Sequence, residues 1–351
     1  MAPIRIGLAG FGMAARVFHA PLIAALPGFA VTRVFERSAE NSKAVFPNAK
    51  LVRDFDGLLA NDVDLVVVTT PNTTHFDCCS HALDAGKHVI CEKPFTITYE
   101  EARKLVALAK QKQRLLTVFQ NRRWDGDFLT VQKIIRSGEL GRVVEFESHF
   151  DRFRPQPKEN AWREQNLPGS GVLYDLGSHL LDQALVLFGK PERVFADIAI
   201  QRDGVAADDY FSVTLFFNDP RTRGNQRHLR AILKSSYLVF EPGPKYVVHG
   251  TGGSFVKFGV PPQEEQLRNG MSPLAPEFGT EPEKYWGTVA TPSGRTVVET
   301  QRGSYLGFYS GVADAILNGA PPPVPPDQAA EGIRLIELAK RSASEGRVVP
   351  A

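Results

Sequence analysis

Near the start of the chain, residues 4–15 have the sequence Ile-Arg-Ile-Gly-Leu-Ala-Gly-Phe-Gly-Met-Ala-Ala. The first half is a compact apolar strand, and the second half is a G-x-G-x-x-A turn, which is typical of dinucleotide-binding proteins. Gly10 permits a tight turn, Gly12 lets the backbone approach a pyrophosphate, and Ala15 keeps the next helix close to the strand. That helix is predicted over residues 14–26, and its positive N-terminus would face the phosphates. A glycine turn without a ligand is the alternative interpretation. The residues expected to contact the cofactor here are Gly10, Gly12, Met13 and Ala14.

Strands and helices alternate over the first third of the chain. The predicted strands are residues 4–9, 29–35, 64–68, 89–91 and 115–119. Thr98 and Glu101 form a capping box at the start of a helix that reaches about Lys112. Alternation of this kind predicts a doubly wound parallel sheet, and therefore an α/β fold that begins with a Rossmann domain over residues 1–120.

The composition is that of an ordinary globular protein. With 351 residues, the chain exceeds the size that one core usually serves, so we expect a second domain over residues 121–351. A formal net charge of +2 and an even spread of basic residues favour neither a nucleic acid nor a membrane as partner. Cys78, Cys79 and Cys91 form no metal-ligand spacing, so we expect no metal and reduced thiols. The strand pattern begins at once without a signal-peptide pattern, which favours a cytoplasmic location.

The second predicted strand is followed by residues that indicate the cofactor. Glu36, Arg37 and Ser38 lie where the adenosine ribose of a dinucleotide is recognised. An acidic residue there favours NAD, because it accepts hydrogen bonds from both ribose hydroxyls. An arginine with a serine favours NADP, because the two can hold a 2′-phosphate. We therefore expect NADP, while Glu36 leaves NAD open.

Two further polar stretches follow predicted strands. Strand 64–68 ends in a loop suited to the ribose and nicotinamide, with Thr70, Pro71, Asn72 and His75. His75 is either a catalytic base or, as we expect, a histidine that starts a helix beside the cofactor. Strand 89–91 ends in Glu92-Lys93-Pro94, and Lys93 would project into the crevice beyond the carboxyl ends of the strands. A surface lysine in a turn is the alternative.

Beyond residue 120 the pattern changes to strands with one polar face. The predicted strands are residues 143–150, 194–202, 210–217, 228–240 and 246–258. They predict a C-terminal α/β domain with a large open, mostly antiparallel sheet, which commonly buries one face against helices or another subunit. An amphipathic helix over residues 327–344 is expected to pack back on the first domain.

An apolar helix over residues 171–188 carries a polar stripe. Asp175, His179 and Asp182 are spaced i, i+4 and i+7, so they share one helix face. Burying such a stripe costs free energy unless its groups are satisfied or used. The stripe is therefore either a hydrogen-bond network, a partly exposed face or a catalytic site. A zinc site is less favoured, because no nearby Cys or further His completes a ligand set.

Together these stretches resemble the glucose-fructose oxidoreductase / inositol dehydrogenase family, called Gfo/Idh/MocA. The resemblance rests on Gly10-Phe11-Gly12, Thr70-Pro71-Asn72, Glu92-Lys93-Pro94 and Asp175-x-x-x-His179. A narrower resemblance, to the NADP-dependent scyllo-inositol dehydrogenase branch, rests on Phe18-His19-Ala20-Pro21-Leu22, Asn121-Arg122-Arg123-Trp124, Asp151-Arg152-Phe153-Arg154-Pro155 and Trp162-Arg163-Glu164. Glu36 departs from that branch, in which a small hydroxyl or basic residue often takes this position.

The resemblance implies an NAD(P)-dependent oxidoreductase that acts on a polyol or sugar, with Lys93, Asp175 and His179 as catalytic residues. His179 is expected to be the general base, because an imidazole titrates near neutral pH. Lys93 is expected to stabilise charge on the reacting oxygen. Further expected contacts are Glu92, Lys93, Trp162 and Arg163 for the cofactor, and Asn121 and Arg123 for the substrate. The resemblance also implies dimers or tetramers formed through the C-terminal sheet.

The substrate that the branch implies is scyllo-inositol, and two alternatives stay open. One is a dehydrogenase or reductase for another sugar or a dicarbonyl compound, since the fold does not determine the substrate. The other is a non-catalytic sensor that binds NADP. The presence of both Lys93 and His179 argues against the sensor.

Overall fold

The structure of this chain is a computed structural model that describes residues 2–157, 162–218 and 228–351, without the side chains of Arg163 and His228. Contacts between residues group the chain into two compact units. The first unit comprises residues 1–124, 262–279 and 304–331, and the second comprises residues 125–261, 280–303 and 332–351. The boundary predicted at residue 120 lies close to the first change of unit, whereas the predicted second domain does not account for the two later segments of the first unit.

The elements found within the described residues are as follows. The strands are β1 (Ile4–Ala9), β2 (Phe29–Phe35), β3 (Lys50–Val52), β4 (Leu65–Val68), β5 (His88–Cys91), β6 (Leu116–Val118), β7 (Val143–His149), β8 (Arg193–Ala199), β9 (Tyr210–Asn218), β10 (His228–Ser236), β11 (Tyr246–Gly250), β12 (Ser254–Lys257), β13 (Gly287–Thr291), β14 (Gly294–Val298) and β15 (Val349–Pro350). The α-helices are α1 (Ala20–Ala24), α2 (His75–Asp84), α3 (Tyr99–Lys112), α4 (Gly126–Ser137), α5 (Ser178–Phe188), α6 (Gln263–Arg268), α7 (Leu306–Asn318) and α8 (Pro326–Glu345).

The first unit is built on the sheet β3-β2-β1-β4-β5-β6. All neighbouring strands in it run parallel, which confirms the predicted doubly wound sheet. β4 is buried along its whole length, as its continuous apolar sequence predicts. β3 was not predicted, because three residues are too few to show a periodic pattern. The strand order reverses between β1 and β4, and ligands of such sheets bind beyond the carboxyl ends of the strands at that point.

Two helix starts illustrate what local sequence does and does not determine. The hydroxyl of Thr98 accepts a hydrogen bond from the N–H of Glu101, and the Glu101 carboxylate accepts one from the N–H of Thr98, which confirms the capping box before α3. The helix predicted over residues 14–26 is instead a π-helical segment, Ala15–His19, that continues into α1. A π turn has no signature in the apolar pattern, and such turns are frequent at functional sites.

The second unit is built on the sheet β14-β13-β12-β11-β7-β10-β9-β8-β15. β7 and β10 pair parallel, and the other neighbouring strands pair antiparallel, so the predicted mostly antiparallel sheet is confirmed. Burial alternates along β9, as expected for a sheet with one covered face. β13 and β14 were not predicted, since they are short and mostly polar.

The helical segment from Leu173 to Phe188 begins with a π turn over Leu173–Gly177 and starts against Asp208. The N–H of Leu173 donates to Oδ2 of Asp208 at 2.8 Å, and the N–H of Val172 donates to the Asp208 backbone oxygen at 2.8 Å. Gly171 has a φ of +87°, and a Cβ on it would overlap the Asp208 carboxylate. Burial raises the pKa of Asp208, while these backbone N–H groups favour its charged form. The helix start therefore depends on a glycine at position 171.

We predict that Gly171→Ala destabilises the protein more than Gly138→Ala does. Both glycines have positive φ, at +87° and +74°, so each alanine incurs about 1–2 kcal/mol of backbone strain. Only the alanine at position 171 also overlaps another group, which adds about 1–3 kcal/mol. Urea denaturation measures the free energy of unfolding of both variants. Equal losses would mean that Asp208 moves aside freely and does not hold the helix start.

Candidate active site

The glycine turn after β1 has the geometry of a dinucleotide cradle. Gly10 has a φ of +96°, in the left-handed region, and its N–H donates to the carbonyl of Phe35 at 3.0 Å. A Cβ on Gly12 would meet no atom within 4 Å, so the backbone there is open to close approach. The N–H of Arg16 donates to the carbonyl of Gly12 at 3.0 Å, at the start of the helical segment. The turn therefore fits a pyrophosphate. The other two predicted contacts, at the start of the same segment, are Met13 and Ala14.

In the loop after β2, Glu36 is buried and Arg37 is exposed, whereas the sequence alone left both as candidates to contact the adenosine ribose. Glu36 is buried, and its Oε1 accepts hydrogen bonds from the N–H of Ser42 at 2.9 Å and the hydroxyl of Ser42 at 2.5 Å. Its Oε2 accepts from the N–H of Asn41 at 3.2 Å. Arg37 and Ser38 are exposed on the same loop. The carboxylate thus organises its own loop, whereas the guanidinium and the serine hydroxyl face outward.

The loop after β4 is tied to the turn after β5 by His75. Nδ1 of His75 lies 2.9 Å from the carbonyl of Pro94, and Nε2 lies 3.0 Å from the carbonyl of Thr70. Burial lowers the pKa of His75, so the neutral ring donates to one of these carbonyls at a time. As expected, His75 is the first residue of α2. Both ring nitrogens face backbone oxygens, which gives the ring a structural role. Of the other predicted residues in this loop, Pro71 is exposed and Asn72 is buried.

Glu92 and Lys93 follow β5, and Glu92 belongs to a buried hydrogen-bonded chain. Oε2 of Glu92 accepts from the backbone N–H of Lys93 at 2.9 Å, and Oε1 lies 2.8 Å from Nε2 of His19. Nδ1 of His19 lies 2.6 Å from the hydroxyl of Tyr309. Burial would raise the pKa of Glu92, but the hydrogen bond from His19 and the nearby Lys93 hold it below its ordinary value. Lys93 itself is half-buried. The sequence analysis missed the roles of His19 and Tyr309, which only folding brings together.

The segment after β6 contributes the remaining predicted residues of the first unit. Asn121 is buried at the start of a 3-10 helix, Asn121–Trp124. Nη1 of Arg123 donates to Oε1 of Gln328 at 3.0 Å. Its neighbour Arg122 is buried and pairs with Glu264 at 2.7 Å. The assignment of Asn121 and Arg123 to substrate binding stays a prediction.

The polar stripe in the second unit is largely buried. His179 is 4% exposed and Asp182 is 2% exposed, whereas Asp175, in the π turn, is half-buried. Tyr237 follows β10, and burial together with the nearby charge of Asp175 raises the pKa of Tyr237 to about 12. The guanidinium of Arg202 lies 4.8 Å from the centre of the Tyr237 ring. The phenol of Tyr237 therefore lies near Asp175, in the π turn at the start of the helical segment that carries the stripe. No local pattern in the sequence indicates that Tyr237 neighbours Asp175.

Two predicted cofactor contacts lie in the segment after residue 161. Trp162 is half-buried in a 3-10 helix, Trp162–Glu164. The side chain of Arg163 lies outside what the structure describes. Their roles stay predictions.

Two further features of the described residues concern metal binding and membrane insertion. Over residues 2–157, 162–218 and 228–351, no group of three or more His, Cys, Asp or Glu side chains is placed to hold a metal ion. Over the same residues, none of the helices has the length and apolar character needed to cross a membrane.

Comparison with known families matches both parts of the chain. Residues 4–120 match the model of an oxidoreductase family described as an NAD-binding Rossmann fold, and residues 132–351 match the model of its C-terminal alpha/beta domain. The predicted NAD(P)-binding Rossmann domain is therefore confirmed at the level of the fold and the general cofactor class.

Similar proteins extend over the whole chain. The uncharacterized oxidoreductase YdgJ of Escherichia coli is 44% identical over 97% of this chain and 96% of its own length. The scyllo-inositol 2-dehydrogenase (NADP(+)) IolW of Bacillus subtilis is 37% identical over 99% of this chain and 95% of its own length. Among solved structures, the oxidoreductase yvaA of Bacillus subtilis has a TM-score of 0.93 at 36% identity and covers 100% of this chain and 99% of that chain. The chain therefore belongs to the Gfo/Idh/MocA family of oxidoreductases.

Proposed function

We propose that this protein is an NADP-dependent dehydrogenase that interconverts a secondary alcohol of a polyol, with scyllo-inositol as the first candidate, and the corresponding ketone. The observation that carries this proposal is a Rossmann sheet whose β5 is followed by Glu92 and Lys93, combined with the half-buried Asp175 and the buried His179 on a helical segment of the second unit. The relative named as a scyllo-inositol 2-dehydrogenase (NADP(+)), similar over nearly the whole chain, supports the choice of substrate.

The proposed chemistry divides the work between few groups. When bound, the nicotinamide cofactor supplies the hydride acceptor. His179 accepts the proton of the substrate hydroxyl, because a neutral imidazole has a free lone pair near neutral pH. Lys93 donates a hydrogen bond to the same oxygen and stabilises the negative charge that develops on it. Asp175 either orients the imidazole or binds a neighbouring hydroxyl of the polyol.

The proposed preference for NADP rests on the loop after β2. A carboxylate that selects NAD must accept hydrogen bonds from the ribose hydroxyls. The two oxygens of Glu36 instead accept from Asn41 and Ser42 within the loop. The exposed Arg37 and Ser38 supply a positive charge and a hydroxyl, which are the groups that hold a 2′-phosphate.

We further propose that the protein forms a homo-oligomer through the nine-stranded sheet. Side chains along each strand alternate between a buried face of this sheet and a more exposed face. The more exposed face carries apolar side chains among charged ones. Phe195 is 39% exposed, and Phe216 and Ile232 are half-buried on neighbouring strands. An apolar face of this kind is suited to burial against a second copy.

If the proposed function is right, the protein reduces the nicotinamide cofactor when scyllo-inositol is supplied at alkaline pH. The initial rate of this reduction should be higher with NADP than with NAD. Parallel assays with myo-inositol and glucose define the substrate range. Turnover of another sugar only would move the proposal to that substrate. Cofactor binding without turnover of any polyol, sugar or dicarbonyl compound would favour the sensor alternative.

We predict that His179→Ala lowers kcat by about 10²- to 10⁴-fold, because the general base is lost. The dissociation constant for NADP should stay within about twofold, since the base contacts the substrate and not the cofactor. His249→Gln is the matched control, because this histidine hydrogen-bonds Ser254 on β12, away from the helix of the stripe. Unchanged turnover in His179→Ala would exclude the assigned role.

We predict that Arg37→Ala weakens NADP binding about 10- to 100-fold and leaves NAD binding nearly unchanged. The expected loss is that of a charge-assisted hydrogen bond to the 2′-phosphate. Fluorescence titration of the reduced cofactors measures both dissociation constants. Arg103→Ala, which removes the same charge from an exposed position of α3, is the control. An equal effect of Arg37→Ala on the two cofactors would contradict a role in 2′-phosphate recognition.

A further inference from the structure

We propose that His19 and Tyr309 are positioning residues that act on Lys93 through Glu92. The proposal rests on the proposed function, in which Lys93 touches the reacting oxygen. It adds two residues that are far from Lys93 in sequence and that are linked to its backbone N–H through the Glu92 carboxylate.

The first support is the geometry of the chain of hydrogen bonds. It runs from the Tyr309 hydroxyl to Nδ1 of His19 at 2.6 Å, from Nε2 of His19 to Oε1 of Glu92 at 2.8 Å, and from Oε2 of Glu92 to the Lys93 N–H at 2.9 Å. Each carboxylate oxygen thus has one partner from the protein. Any rotation of the Glu92 side chain would break either the bond to His19 or the bond to Lys93.

The second support is the count of protons. With Glu92 ionised and the imidazole neutral, the Nε2–H of His19 donates to Glu92 and the hydroxyl of Tyr309 donates to Nδ1. Every polar atom of the chain is then satisfied in a single arrangement. The ionised Glu92 carboxylate can only accept, so it sets the tautomer in which Nε2 of His19 carries the proton, and the hydroxyl of Tyr309 then donates to Nδ1.

The third support is burial and packing. His19 and Tyr309 are 0% exposed, and Glu92 is 8% exposed. The centre of the His19 ring lies 4.3 Å from that of Phe119, and the Tyr309 ring contacts Phe29 at 5.6 Å between centres. Aromatic packing therefore fixes both rings and keeps each of them against its hydrogen-bond partner.

The fourth support is energetic. Burying a carboxylate among aromatic rings costs free energy, and apolar side chains of similar volume would commonly give equal or greater stability. Stability alone thus gives no reason for this chain of polar groups. These groups connect to the proposed chemistry at the backbone N–H of Lys93, directly after Glu92.

The test compares two amide replacements of His19. Gln places its N–H₂ where Nε2 of His19 lies, so His19→Gln keeps a donor to Glu92. Asn is shorter and places its amide near the position of Nδ1, so His19→Asn keeps a partner for Tyr309 and loses the donor to Glu92. We expect His19→Asn to lower kcat about 10- to 100-fold and His19→Gln to lower it less than about fivefold. KM for the polyol and the dissociation constant for NADP should change less than about threefold in both.

Two further variants complete the set. Tyr309→Phe removes only the hydroxyl and should lower kcat by about five- to tenfold, because the buried Nδ1 of His19 loses its hydrogen-bond partner and the ring is held less firmly against Glu92. Thr117→Val is the control for the loss of a buried hydroxyl in the same unit. The hydroxyl of Thr117 donates to the carbonyl of Val324 at 2.8 Å and has no link to Lys93, so kcat should stay near that of the unaltered protein.

A readout that needs no turnover is hydrogen exchange of the Lys93 amide, followed by mass spectrometry of peptides that bracket it. His19→Asn and Tyr309→Phe should speed this exchange about tenfold or more, whereas His19→Gln and Thr117→Val should not. Equal kcat losses in His19→Gln and His19→Asn, or unchanged exchange in His19→Asn, would overturn the proposal. If the unaltered protein turns over no polyol, the proposed function fails. The exchange data still decide whether the hydrogen bonds from Tyr309 through His19 and Glu92 hold the backbone of Lys93.

Discussion

The parallel order of the first sheet is the constraint on which the arrangement of the first unit depends. Because all six strands run the same way, the residues that follow β1, β2, β4, β5 and β6 all leave the sheet at the carboxyl ends of its strands. The glycine turn, the Glu36 loop, the Thr70 loop and the Glu92-Lys93 turn therefore gather at that end of the sheet, although Gly10 and Lys93 are 83 positions apart. The reversal of order between β1 and β4 opens the crevice there.

Three carboxylates, of the buried Glu36 and Glu92 and the half-buried Asp208, accept hydrogen bonds from the segments that carry the candidate residues. Glu36 accepts from N–H groups of the loop that exposes Arg37, and Glu92 accepts from the N–H of Lys93. Asp208 accepts from the N–H of Leu173, at the start of the helical segment that carries the polar stripe. In each case an acidic side chain satisfies backbone donors of the segment beside it and so helps to fix the path of that segment.

The sequence predicted what depends on local pattern. The apolar run of β4, the capping box of Thr98 and the alternation along β9 each follow from a periodicity or a cap, and each is confirmed. The π turns at Ala15–His19 and Leu173–Gly177 were not predicted, since the apolar spacing of a π turn differs little from that of an α-helix over five residues. The contact of His19 with Tyr309 was not predictable either, because the two are 290 positions apart in the sequence and no local pattern links them.

Glu36 shows why residue type at a recognised position does not by itself determine specificity. An acid at the end of β2 has the right charge to bind a ribose, and on sequence alone it kept NAD open. The acceptor capacity of a carboxylate is limited, however, and Asn41 and Ser42 already donate to both oxygens of Glu36. Ser42 is buried, so displacing its N–H from Glu36 to bind a ribose would cost about 1–3 kcal/mol. Specificity at this position therefore depends on which neighbours the acid already satisfies, and here Asn41 and Ser42, five and six residues after Glu36, occupy it within its own loop.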